Sequence, residues 1–417
     1  MIHNRLIGTG LFGKSHIYLP PNLQSNVGIL LEDFETTTGF TKRAGTTAMA
    51  LDTTNFKTGA GGIKLTTPVF DTGYIQKAGS FDFSNANRIS IWFYNYGAIS
   101  DFPTANAILL QLYTDAGATK GFTTFFPKGR MTHVGWNLLS RHKSLFTAIG
   151  SSPSWNDPIL YIRLLANSDT GKTVNVTWDT LRTRIAGQAA VLLTFDDAKS
   201  EIYTNVYPIL KAHNMRGTIY TPTALIGTAG YMTVAQLQEL YRAGWSISNH
   251  TNNHVHLTSL SEADQETEIS AATAALDGWG LTKASKHIAY PFGEKDANTL
   301  TAMTNLGMQT GRTTLPPEQT AGDGVPELSL PFDLPYEIPT YQCTTMSLAT
   351  AETYIDGAIT RGVIQPFFYH NLAGEWDIAT YQSFIEYIAS KRSDIIPITI
   401  DDFQKLQSSG VRVPRPI

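Results

Sequence analysis

Along the first half of the chain, apolar residues come in short runs separated by turn residues. The runs fall at residues 28–31, 62–65, 89–94, 107–113, 123–126, 136–139, 159–165 and 174–178. Several alternate apolar with polar positions, the pattern of a half-buried strand. Long helical periodicity is absent. Eight or more short strands at this spacing predict an all-β sandwich or jelly roll. The pattern changes near residues 185–188. From Ala189 onward, strand-like runs (190–195, 217–220, 245–248, 287–290, 363–369 and a last one before Asp401) alternate with amphipathic stretches at 201–213, 234–243, 262–279, 297–306, 349–361 and 381–391. Repeated βα units predict a parallel sheet or barrel, whose chemistry collects at the C-terminal ends of its strands. Three regions follow: an extended arm at 1–26, a β-sandwich at 27–186 and an α/β unit at 187–417.

Four features fall at such strand ends. Asp196 and Asp197 close the run Val191-Leu192-Leu193-Thr194-Phe195, and His250-Thr251-Asn252-Asn253-His254 follows the strand at 245–248. Pro291 and His370 end two later strands. A catalytic zinc site uses about three protein ligands and keeps a position open for water. One aspartate with two histidines meets that demand, and the second aspartate is left over as a base. The histidine spacing brings both imidazoles to one point if the segment is helical or tightly turned. The pair Asp401-Asp402 has a different reading, as a cap opening the last helix.

Bulk properties narrow the partners. The 417 residues carry a net charge of −4 with no basic stripe, which excludes a nucleic-acid binder. A low charged fraction with frequent Thr, Ser, Asn, Gly and Tyr suits a neutral polar partner such as a glycan. The single cysteine, Cys343, permits no intramolecular disulfide and reads as a small buried apolar residue. No run approaches the length of a membrane span. The first 26 residues lack the apolar core of a signal peptide and read as an arm or attachment peptide. Either the protein leaves the cell by another route or a signal has been removed.

The motifs resemble the NodB-homology polysaccharide deacetylases, carbohydrate esterase family four. Thr194-Phe195-Asp196-Asp197 looks like the first motif, and Gly244 to His254 looks like the second, an H-[ST]-x-x-H element. Ala289-Tyr290-Pro291-Phe292-Gly293-Glu294 resembles the third, and Pro366 to His370 the last. The resemblance covers roughly residues 189–406 and implies a distorted (β/α) barrel. Carried over by motif position, Asp197, His250 and His254 would hold a divalent ion: zinc, or else nickel or cobalt. Asp196 would be the general base for the attacking water. The backbone N–H of Phe292 would stabilise the oxyanion, and His370 would protonate the leaving group. Thr251 would brace the loop between the histidines. Two departures stand out. Ala289 occupies the place of an arginine that many members use to orient the base, as in a subgroup acting on exopolysaccharide and poly-N-acetylglucosamine. The acidic partner of His370 has only Asp333 as a candidate.

The first half loosely resembles carbohydrate-binding jelly rolls, through the segments 28–35, 59–65, 135–138 and 177–180. Trp92, Tyr94, Tyr96 and Trp155 are candidates for stacking on sugars, with core packing the alternative for each. Glu32, Asp33 and Asp179 could form a calcium site, with surface charge the alternative. The whole chain then reads as a metal-dependent hydrolase that removes N- or O-acetyl groups from a capsule, exopolysaccharide or cell-wall glycan. Its setting is extracellular or on a virion tail, as a possible homotrimer attached through the arm. Two other readings are an amidase of small linear C–N substrates and a glycan-binding protein with an inactive barrel.

Overall fold

The computed structural model describes residues 29–409, apart from 45–46, 69–71, 127, 129–130, 132–133, 185–188, 315–327, 329–331, 333, 344–345 and 371–375. The expected arm at 1–26 and the candidate Asp333 lie outside the described residues. The chain divides into two compact units, within Asn26–Gly187 and Gln188–Arg412. No helix among the described residues is long and apolar enough to cross a membrane.

The first unit holds two six-stranded antiparallel sheets around one core. Arg88–Asn95 shows how the sequence builds it. Ile89, Ile91 and Phe93 point into the core, while Ser90, Trp92 and Tyr94 take the other face, the two-residue period of a pleated strand. Ile63 and Leu65 do the same in Gly62–Thr67, and Val176 and Trp178 in Val174–Arg184. Four strands lack such a signal: Phe40–Lys42, Ala48–Asp52, Thr72–Phe81 and Thr147–Ile149. Thr72–Phe81 has two glycines and buries few apolar side chains. It is ordered by pairing on both edges, with Ile159–Asn167 and with Phe40–Lys42.

Two sequence expectations for this unit need correction. Glu32, Asp33 and Asp179 do not converge on one ion. Glu32 pairs with Lys77, and Asp33 accepts from the Glu35 N–H. Asp179 is fully buried and accepts from the Lys57 and Thr58 backbone N–H groups and the Thr180 hydroxyl. Burial pushes its carboxyl above the usual range, so it is an internal acceptor and not a surface charge. Trp155 lies apart from the other aromatics, stacked on Phe122 at 3.7 Å against the core. Trp92, Tyr94 and Tyr96 do cluster, together with Trp136: Tyr94 lies 5.4 Å from Trp136 and 4.8 Å from Tyr96. Trp92 itself is buried beneath Lys57.

The second unit is built on an eight-stranded parallel sheet in the spatial order Thr310–Arg312, Ala284–Ala289, Ser246–Asn249, Thr218–Thr221, Ala189–Phe195, Ile364–Tyr369, Tyr341–Gln342. The eighth strand, Ile395–Ile398, shares one edge of Ala189–Phe195: it pairs with the N-terminal half, and Thr218–Thr221 pairs with the C-terminal end. The two outer edges meet through one stretch of chain. Ile338 bonds to Gly311 and Thr313, and Tyr341–Gln342 pairs with Phe367 and Phe368. The sheet therefore curls into a distorted barrel. Ala189–Phe195 is buried along its whole length, which is why it reads as an unbroken apolar run. Val191, Leu193 and Phe195 pack outward with Leu237, Leu240, Ile355, Phe384 and Ile388 of the helices. Cys343 belongs to that same core.

Two helix starts differ from expectation. The stretch at 201–213 begins as a wide π-turn, Ile202–Val206, and becomes α-helical only at Tyr207–Ala212. Pro208 explains it, because its ring crowds the carbonyl four residues back and it has no N–H to donate. Asp401 and Asp402 sit inside the first turn of Ile400–Ser409 and are not its cap. Thr399 caps instead: its hydroxyl accepts from the Asp402 N–H, and the Asp402 carboxylate accepts from the Thr399 N–H.

His287, on Ala284–Ala289, is fully buried and its Nδ1 meets the Thr310 hydroxyl at 2.9 Å. Burial pushes its imidazole down to about 3. Its ordinary value is near 6.5, so between those values the unfolded chain takes up a proton that the folded chain refuses. The stability it supports is complete above the ordinary value and is lost as pH falls toward 3, by at most about 1.4 kcal/mol per pH unit. Denaturant midpoints measured from pH 7 to pH 4 should fall accordingly, and His287→Gln should flatten that slope.

Candidate metal centre and active site

The strand ends bring the expected donors together. Asp197 Oδ1 lies 3.2 Å from His254 Nε2 and 3.6 Å from His250 Nε2. One ligand atom from each of the three residues falls within 4.8 Å of the others, and this is the group of that kind found among the described residues. His250 is buried, and its Nδ1 bonds the Ala289 carbonyl at 2.7 Å. An Nδ1–H donated to a carbonyl leaves Nε2 with its lone pair facing Asp197, the arrangement of a metal-ligating histidine. Burial pushes the His250 imidazole down to about 4 despite the nearby carboxylates, so it is neutral at pH 7. Burial alone would raise the Asp197 carboxyl. The His254 hydrogen bond and the electrostatic pull of the groups around it, Lys199 included, outweigh it and hold Asp197 well below the usual range. Two imidazole nitrogens and one carboxylate oxygen suit zinc or a similar divalent ion, with coordination positions to spare.

The histidine segment is a tight turn and not a helix. Thr251 and His254 both adopt left-handed backbone, with φ of 62° and 56°. For a β-branched residue that conformation is a true outlier. It is held from three sides. The Thr251 N–H donates to Asn249 Oδ1 at 2.8 Å, and its hydroxyl accepts from the His254 N–H at 3.0 Å. Asn249 in turn is anchored to the Glu262–Gly278 helix through the Ile269 carbonyl and Thr273. Asp197, Ala198 and Phe292 are left-handed too, so five such residues border one site. Pro291 and Phe292 form a single turn after Ala284–Ala289, with the Phe292 ring 4.9 Å from that of His254.

Asp196 is almost completely buried beside the triad. Sequence reasoning missed its partner, Arg312. The guanidinium Nη2 bonds Asp196 Oδ2, and the Arg312 side chain is only 1% exposed. Arg312 ends the short strand Thr310–Arg312, where it pairs in register with Ala289. The cation absent from position 289 is therefore supplied from the adjoining strand. A small residue at 289 followed by a lone arginine one βα unit later was the available signal. His370 Nε2 lies 3.8 Å from the same Asp196 oxygen and is about one-third exposed. Asp196 Oδ1 is buried with no hydrogen-bond partner among the described residues.

Removing one member of a buried ion pair strands the other. Arg312→Met should lower the stability of this unit by about 3–5 kcal/mol. The double variant with Asp196→Asn should recover most of that loss, and a thermodynamic cycle from urea midpoints measures the coupling.

Comparison with known proteins adds the family. Residues 183–311 match the family model described as polysaccharide deacetylase. The match stops one residue short of Arg312 and does not reach His370. The Bacillus subtilis (strain 168) protein YxkH, provisionally named a polysaccharide deacetylase, is 32% identical over 138 residues, covering 33% of this chain and 49% of that protein. The poly-β-1,6-N-acetyl-D-glucosamine N-deacetylase of Staphylococcus aureus (strain MSSA476) is 29% identical over 136 residues, covering 29% of this chain and 47% of that protein. The chain thus spans about half the length of these relatives. Among solved structures, a family 4 carbohydrate esterase from Streptomyces lividans in complex with acetate is 21% identical, with 50% of this chain and 92% of that one covered at a TM-score of 0.35. The matched residues 183–311 carry Asp196, Asp197, His250 and His254, and this segment is similar to the polysaccharide deacetylases.

Proposed function

We propose that this chain is a divalent-metal-dependent deacetylase of an acetylated polysaccharide. One observation carries the reading. Asp196 is clamped by Arg312 through Oδ2, while its buried Oδ1 has no hydrogen-bond donor among the described residues, beside three converging metal donors. A structural ion pair would satisfy both oxygens; a base keeps one for its substrate.

Asp197, His250 and His254 would hold the ion. When bound, it supplies Lewis acidity and brings the pKa of water toward neutrality. Asp196 Oδ1 takes the proton of the water that attacks the acetyl carbonyl. Arg312 keeps the carboxylate in one orientation and favours its ionised form. The Phe292 N–H donates to the oxyanion that develops on the carbonyl oxygen. As the C–N or C–O bond breaks, His370 passes a proton to the leaving nitrogen or oxygen. The products are acetate and a free amine or hydroxyl on the sugar. The likeness to a poly-N-acetylglucosamine deacetylase supports an N-acetyl substrate. Outside the barrel, Tyr94 and Trp136 on the sandwich offer an aromatic edge for glycan, a role that suits an extracellular or virion-borne enzyme.

Acetate release from β-1,6-linked N-acetylglucosamine oligomers tests the reading. Asp196→Asn should cut kcat by about a thousandfold or more while the protein still binds one equivalent of zinc. Full activity in that variant would remove the proposed base. Chelation should abolish acetate release and added zinc should restore it; activity that survives exhaustive chelation would rule out the metal.

A further inference from the structure

Beyond the metal donors, the second-motif loop carries a histidine that the chemistry above leaves unused. His256 follows His254 by two residues, and its side chain is 55% exposed. An exposed imidazole normally samples many rotamers, but this one is held on two sides. Its ring lies flat on Phe292, with centroids 3.7 Å apart and planes within 8°. Its Nδ1 meets Glu294 Oε2 at 2.9 Å, and the Thr258 hydroxyl donates to that same oxygen at 3.3 Å. The backbone beneath is fixed as well: Leu257 is fully buried, and the His256 carbonyl accepts from the Ser259 N–H and hydroxyl. Ordering an exposed side chain costs rotamer entropy that a surface ion pair alone barely offsets.

We propose that His256, aligned by Glu294, is a specificity-determining residue that binds the sugar next to the one being deacetylated. This rests on the deacetylase reading and adds a subsite to it. Donation from Nδ1–H to the Glu294 carboxylate leaves the Nε2 lone pair as an acceptor for a sugar hydroxyl. Among the described residues, no protein contact uses that atom. Phe292 is 52% exposed and stands between His254 and His256. Centroid steps of 4.9 and 3.7 Å lead from the metal donor through Phe292 to His256, the reach of a neighbouring ring in a chain of sugars. The ligand is a neutral pyranose that places a C–H face on an aromatic ring and a hydroxyl on an acceptor.

The test compares two substrates of the zinc-loaded chain. A β-1,6-linked N-acetylglucosamine pentamer fills the subsite, whereas 4-nitrophenyl acetate reaches only the metal centre. His256→Ala should raise KM for the pentamer about tenfold, leave its kcat within about twofold, and leave kcat/KM for the small ester unchanged. His256→Gln, which keeps an acceptor, should restore most of the affinity. An unchanged pentamer KM in His256→Ala, or an equal loss on both substrates, overturns the proposal; equal loss would mean that His256 only shapes the metal loop. If the wild-type protein turns over neither substrate, the deacetylase reading fails first. Calorimetric binding of the pentamer then still measures His256, and equal Kd values for wild type and His256→Ala overturn the subsite.

Discussion

The buried contact between Arg312 and Asp196 organises the rest of the barrel's active face. A carboxylate and a guanidinium taken out of water lose several kcal/mol of solvation each, and only close hydrogen bonding returns it. Asp196 is one residue from the candidate metal donor Asp197, so fixing one fixes the backbone that presents the other. Arg312 also lies over the rings of Tyr220 and Phe368, at 5.2 and 4.8 Å, which tie the pair to two further strands. The Asp196 N–H adds a bond to the Tyr369 carbonyl, beside His370. Asp196, His370 and the three candidate metal donors thus share one frame of adjacent strand ends.

Around that frame the connecting loops are held in costly conformations. Left-handed backbone at Asp197, Ala198, Thr251, His254 and Phe292 costs on the order of 1 kcal/mol or more per residue. The surrounding bonds over-determine each of them. Asn249 reaches from a strand end to a helix, and Glu268 on that helix holds both the backbone and the side chain of Asn253. Protein contacts alone thus hold both imidazoles toward Asp197.

Much of this was legible in the residues. The unbroken apolar run ending in Asp196 and Asp197 marks a strand buried on both faces, and its polar end marks where chemistry can sit. The histidine spacing and the aromatic-proline turn follow the same logic of strand ends. What escaped notice depends on neighbours across the sheet. Arg312 lies on a three-residue strand with no apolar pattern of its own, and its importance appears only in register with Ala289. Asp179 looks like surface charge until the loop at Lys57 and Thr58 folds over it. Thr72–Phe81 becomes a strand because its partners flank it. Non-local pairing leaves no periodic trace in the strand that receives it.

The divided edge of Ala189–Phe195 has a consequence for how the barrel is made. Its outer half is covered by Thr218–Thr221, which leaves the ribosome soon after it, while its inner half waits for Ile395–Ile398, some two hundred residues later. Until then the first strand of the barrel, which carries Asp196 and Asp197, exposes unpaired backbone along that half. The strand that begins the barrel is thus completed along that edge by one made some two hundred residues later, a long-range pairing that delays closure of the sheet.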